Sequence, residues 1–315
     1  MKRLSADLML LFAAGIWGLA FYFQKTAMNE IGPFLFIAAR ASIAALVLAP
    51  LALFEVRRRA SATDAGPALD RPGLVKLGMT GGVIFFLGAV FQQKGLLTAT
   101  VTNAGFLTGL YVVITPFIIW LTTRRGPTSV AWIAGGLAFA GTWALGGGTV
   151  GGFSYGDVLI AICAIFWAIH MVVTSQSPRF GVPMAFTFVQ FSTVAALAAT
   201  AAVFFEPISL AALARASGAI LYVGVLSSAL TFTLLAVAMK HTPPAEAAVL
   251  VSMETLFAAV AGALLLEERL PSIGWLGAAL LFAATLLVQL APREPEGRAG
   301  RRSRGKAPVA DVRPQ

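Results

Sequence analysis

The chain has 315 residues, 58% of them hydrophobic and only 12% charged, against roughly 25% charged in a soluble domain. That balance excludes an ordinary soluble domain and indicates a polytopic membrane protein. The net charge of +9 does not indicate nucleic acid, because the basic residues flank apolar spans or gather in the tail, with no patch interleaved by aromatics.

Lys2 and Arg3 followed by an apolar stretch imitate a signal peptide, but residues 8–23 lack a convincing small-residue cleavage site and many spans follow. They are read as a retained first helix. In order, apolar segments follow at 34–53, 74–91, 99–121, 130–145, 158–173, 184–205, 219–238, 245–266 and 273–290, ten in all. Three, at 16 residues each, fall well short of the ~20 residues of a usual helical span, so their ends are expected to extend into polar flanks. The runs are too long, and too little alternating, for a closed barrel. Cys163, the only cysteine, lies inside the sixth run and excludes both an intramolecular disulfide and a thiolate metal cage.

The fourth segment, 99–121, is the one around which the chain is organised. It carries no formal charge, yet Thr102, Asn103, Thr108 and Tyr111 place hydrogen-bonding groups where lipid offers no partner, so they are expected to face protein or water. Gly105 and Gly109 form a small-xxx-small pair suited to close helix approach, and Pro116 removes a backbone donor and can bend the helix. A helix lining a passage and a helix that is merely tightly packed are both compatible with these residues.

Ten spans place both termini on one side. Eighteen basic residues fall there, seven of them in the tail after Pro292, against four (Lys25, Lys94, Arg215 and Arg269) on the other, with Arg40 inside a span. The positive-inside rule makes the terminal side cytoplasmic. The tail is expected to be disordered and solvated, with contact to anionic lipid headgroups as the alternative.

The chain also echoes itself. WGLAFYFQK from Trp17 resembles FWAIHMVVTS from Phe166, and RRGPTSVAWIAGGL after the fourth span resembles EERLPSIGWLGAAL after the ninth, bringing Trp132 onto Trp275. Two five-helix halves joined by the glycine-rich segment 146–156 are indicated. Five being odd, the halves enter the membrane from opposite sides, an arrangement of secondary transporters that hold substrate near the midplane.

These residues resemble a known family. Trp17-Gly18 with Phe21, Lys25, Pro33 and Arg40 is similar to the opening of an EamA domain of the drug/metabolite transporter superfamily. Phe91 to Pro116 resembles its third-to-fourth helix passage, and Gly156-Asp157 with Phe166-Trp167-Ala168 the start of a second repeat. Met253-Glu254 with Glu267-Glu268-Arg269 resembles the ninth helix. Two positions depart from the pattern: Thr255 follows Glu254 where the family has proline, and Arg124-Arg125 stand where it often has Glu-Arg. The resemblance implies an all-α membrane protein of ten transmembrane helices in two inverted five-helix EamA repeats, 5–147 and 154–291, followed by the tail 292–315. It implies a transporter of small metabolites, and within the family the chain looks most like the kind that exports aromatic and other neutral amino acids.

Among ionisable groups, Glu246 and Glu254 lie in the ninth span, where a lipid-facing carboxylate would be expensive. Glu254, the deeper, is a candidate for proton binding or contact with a substrate amine, and a structural hydrogen bond is the alternative. Glu246 can equally be a favourable charge in a first helical turn. His170 can titrate near neutral pH, although a lone histidine is more often a hydrogen-bonded packing residue. Arg40 can attract a carboxylate or satisfy helix-end carbonyls. Trp17, Phe106, Tyr111 and Trp167 can wall a substrate site or simply pack.

Gly152 to Gly156 fits the GxSxG pattern, but a nucleophile elbow needs a strand-turn-helix on a soluble sheet, and here the pattern opens a membrane helix. No GxxxxGK[ST], HExxH or cysteine cluster occurs, so neither nucleotide hydrolysis, metal nor cofactor is expected. The expectation is a secondary transporter, not an enzyme, exporting amino acids and related metabolites across a bacterial inner membrane by alternating access, with lipid and a small-molecule solute as partners. A monomer suffices, and a homodimer is compatible. A passive channel and an intramembrane hydrolase using Ser154 and His170 are the alternatives.

Overall fold

The computed structural model describes residues 3–61, 68–124, 128–145, 154–269 and 272–290. The tail 292–315, the glycine-rich junction at 146–153, Pro127 and Pro271 lie outside the described residues. The described chain is helical throughout: α1 (Arg3–Ala27), α2 (Pro33–Ser61), α3 (Arg71–Leu96), α4 (Val101–Thr108), α5 (Tyr111–Thr123), α6 (Ser129–Leu145), α7 (Tyr155–Thr174), α8 (Pro183–Phe205), α9 (Leu210–Arg215), α10 (Ser217–Leu221), α11 (Thr231–Ala238), α12 (Pro244–Val251), α13 (Glu254–Leu265) and α14 (Gly274–Leu290). A π-helical stretch, Tyr222–Leu230, joins α10 to α11.

Eight helical stretches among the described residues are long and apolar enough to cross a membrane. α4 with α5, α10 to α11, and α12 with α13 each count as one. Two shorter apolar helices, Ser129–Ala144 and Gly274–Val288, pack against each other. Large side chains project outward as well as inward: Leu46, Phe54, Phe204 and Leu264 are all more than half exposed. Such a surface suits lipid, which needs no polar rind.

Helix ends explain the chain's turns. Asp70 accepts from the Gly73 amide at 2.9 Å to start α3, and Thr100 accepts from Asn103 at 3.1 Å to start α4. Ser154 and Asp157 form a capping box that opens α7. The serine of the GxSxG pattern is therefore spent on a helix cap, donating to Asp157 at 2.9 Å.

The antiparallel pair α2 and α8 is tied at both ends by carboxylates. Glu206, beyond α8, accepts from the Phe34 and Leu35 amides at 2.9 and 2.8 Å. Glu55, late in α2, accepts from the Ala185 amide at 3.0 Å. Each helix supplies the charge that satisfies the other's first unpaired amides, the end where an anion is favoured.

Candidate functional site

Two spans are interrupted in mid-course. Between α4 and α5 the Leu110, Val112 and Val113 amides bond to the carbonyls three residues back, at 3.0 to 3.3 Å, a tightened turn that breaks the α-ladder. The interruption falls at Gly109–Leu110 and not at Pro116, which sits inside α5. The proline ring crowds the carbonyl four residues earlier, at Val112, and the backbone yields just before that point. Between α12 and α13 the Thr255 and Leu256 amides likewise bond to Ser252 and Met253, both at 3.0 Å. No proline is present there. The Ser252 hydroxyl instead turns back on the Val249 carbonyl at 2.7 Å, competing with the helix ladder.

The two broken helices touch. A Cβ on Gly105 would stand 2.7 Å from the Ala258 Cβ, and one on Gly109 would stand 2.8 Å from the Thr255 Oγ1. Both glycines are needed for that approach. The Thr255 hydroxyl donates to the Gly105 carbonyl at 3.1 Å.

Beside this contact lies a cavity of about 70 Å³. Its walls are aromatic: Trp17 and Phe232 with ring centroids 4.8 Å apart, Phe85 and Trp167 at 4.9 Å, and Phe85 and Phe232 at 5.0 Å. The Trp17 indole is fixed by donating to the Ser227 carbonyl at 2.9 Å, in the π-helical stretch. His170 shares a hydrogen bond of 2.9 Å with Gln190. Glu254, at the start of α13, and Arg40, from α2, line the same cavity and are both buried. Tyr111 and Glu254 line this cavity together.

Of the residues singled out from sequence, Trp17, Tyr111, Trp167, His170 and Glu254 line the cavity. Asn103, Phe106 and Glu246 do not. Phe106 packs edge-on against Trp143 at 6.0 Å. Asn103 donates to Asp157 at 3.4 Å, at the end where Glu268 accepts from the Val101 and Thr102 amides, both at 2.9 Å, and from the Thr102 hydroxyl at 2.6 Å. Glu246 sits at the opposite end in an ion pair with Arg3, which also lies 3.5 Å from Asp7. There the Thr242 hydroxyl donates to Asp7 at 2.8 Å. Polar clusters thus lie at both ends, with the aromatic cavity between them. Phe85 and Phe232 carried no signal in the sequence that separates them from ordinary packing residues.

Comparison with known proteins gives this arrangement a family. Residues 4–147 and 154–290 each match the EamA-like transporter family. An uncharacterized transporter of Archaeoglobus fulgidus is 32% identical over 301 residues, covering 92% of this chain and 87% of that protein. A solved crystal structure superposes with a TM-score of 0.71 at 19% identity, over 91% of this chain and 96% of the other, a likeness of fold alone. Two matched segments that fill the chain, together with that relative, place it in the EamA-like transporter family as a multi-pass membrane transporter.

Proposed function

We propose that the protein is a secondary transporter that exports amino acids, aromatic ones included, and related small metabolites across a bacterial inner membrane by alternating access. The observation that carries the reading is the aromatic cavity with Glu254 in its wall at the break between α12 and α13. A hydrophobic box with one carboxylate suits an apolar or aromatic side chain next to an amine. A break in a spanning helix puts a tightened turn of backbone beside the cavity, in keeping with the interrupted helices of transporter sites.

The ten-span reading in two inverted repeats is supported by the double family match and by paired features. The breaks at Gly109–Leu110 and Ser252–Met253 are alike. Arg124 and Glu267, both left-handed at φ near 55°, stand past the ends of α5 and α13. The reciprocal caps of α2 and α8 are related in the same way. Gly105 and Gly109 then serve as the contact on which the halves rock. Both termini are cytoplasmic in this reading, so a cysteine at Arg58 should label only from the cytoplasm and one at Leu97 only from outside, in a Cys163→Ser background.

The direct test is uptake into liposomes holding the purified protein, across a panel of amino acids, nucleobases and lipophilic cations. Saturable flux of phenylalanine or tryptophan, accelerated by a second amino acid on the far side, is expected. Movement of lipophilic cations alone would sink the amino-acid assignment, and flux without acceleration would indicate a channel.

A further inference from the structure

Arg40 is a basic residue inside a membrane-spanning helix, and the structure does not support a helix-end role for it. It sits inside the 29-residue helix α2, 4% exposed, and no helix-end carbonyl accepts from it. Its Nε and Nη2 atoms are buried without a hydrogen-bond partner. The three ion pairs among the described residues use Arg3 and Arg215, and Glu254, the carboxylate in the same cavity wall, is not within ion-pair distance of Arg40. The Phe36 and Phe85 rings lie 5.9 and 5.5 Å from its Cζ and hold the guanidinium in place, a weak compensation for a cation out of water.

The identity of the two orphaned atoms matters. Nε and Nη2 form one edge of the guanidinium, with two N–H bonds pointing the same way, the edge that grips a carboxylate in a bidentate pair. The residue lines the cavity. The π-helical stretch packs on α2 so closely that a Cβ at Gly224 would stand 3.0 Å from the Arg40 carbonyl. A buried, unpaired, planar cation is costly to keep and serves no packing purpose that a methionine would not serve better.

We propose that Arg40 is the anion-recognising residue of this cavity, its Nε–Nη2 edge taking the carboxylate of the transported solute in a bidentate hydrogen-bonded pair between Phe36 and Phe85. The inference rests on the reading of this cavity as the transport site, and narrows the solute to a carboxylate-bearing molecule. Arg40 is then the residue that rejects amines, amides and lipophilic cations of the same shape, because each would leave the guanidinium unpaired.

The test is thermal unfolding of the full-length protein in detergent with L-phenylalanine, 3-phenylpropionate and phenylalaninamide, on wild type, Arg40→Lys and Arg40→Met. The two carboxylates should raise the wild-type Tm and the amide should not. Arg40→Met should melt higher than wild type without solute, since it removes an unpaired buried charge, and should respond to neither carboxylate. Arg40→Lys should respond with an apparent affinity roughly 10- to 100-fold weaker, as loss of a charge-assisted bidentate bond implies. A shift by 3-phenylpropionate without one by phenylalanine would sink the amino-acid reading and keep Arg40. The assignment is overturned if the amide shifts wild type as far as the acids do, if Arg40→Met responds like wild type, if Arg40→Met melts lower without solute, or if no carboxylate shifts wild type.

Discussion

The Thr255 hydroxyl donates to the Gly105 carbonyl at 3.1 Å, and this bond joins the two broken helices at their breaks. The same carbonyl accepts from the Gly109 amide at 3.0 Å, so one oxygen serves both the end of α4 and the start of α13. Thr255→Val keeps the shape and replaces the donating hydroxyl by a methyl, leaving the Gly105 carbonyl only its bond from Gly109. We expect a loss of about 1 kcal/mol of stability, read as a lower Tm in detergent. An unchanged Tm would mean that the bond has no net worth.

Gly105 tests the closeness of that contact. Gly105→Ala places a methyl against Ala258, and overpacking of this kind costs about 1–3 kcal/mol. Ala258→Gly in the same chain should restore much of the loss in both Tm and transport rate. Additive damage from the pair would show that the two positions do not meet.

The Arg3–Glu246 pair, with Asp7 and Thr242, ties α1 to the start of α12 at one end of the molecule. Glu246→Gln weakens it and should open that end more often. The sole cysteine, Cys163, is wholly buried near Thr108, so its alkylation reports opening. Labelling by a maleimide should speed up by about tenfold, the value of one charge-assisted bond. A labelling rate equal to that of wild type would exclude a gating role for the pair.

Glu254→Gln keeps the volume of the cavity wall and removes an acid. If the carboxyl exchanges a proton for substrate, accumulation driven by a pH gradient should vanish while exchange between two substrate pools persists. Equal loss of both would assign it to solute binding. Transport unchanged in both assays would make Glu254 structural.

Much of the fold was legible because a bilayer restricts the choices. Apolar runs of sufficient length marked the spans, although their ends moved outward: the third span begins at Arg71 and not at Leu74, since Asp70 and Pro72 start the helix before the apolar run. The breaks were harder to read. Pro116 drew attention to the right helix but the wrong turn, because a proline disturbs the ladder upstream of itself. In the ninth span Thr255 stands where the family has proline, and the break instead accompanies a side-chain bond of Ser252 that composition does not reveal. Arg40 was ambiguous for a related reason: whether a guanidinium has a partner depends on which residues of distant helices surround it.

The two caps between α2 and α8 differ in when they can form. Glu55 is made before the amide it serves, whereas Phe34 and Leu35 precede Glu206 by about 172 residues. At roughly 5–20 residues per second, the ribosome takes about 10 to 35 s to supply that carboxylate. During this interval the start of α2 must borrow water or lipid headgroups, so a newly inserted first half waits in the membrane unfinished. Glu206→Gln should therefore leave the first half open to the cell's membrane proteases for longer than Glu55→Gln does, although both remove one charge from the same pair of helices.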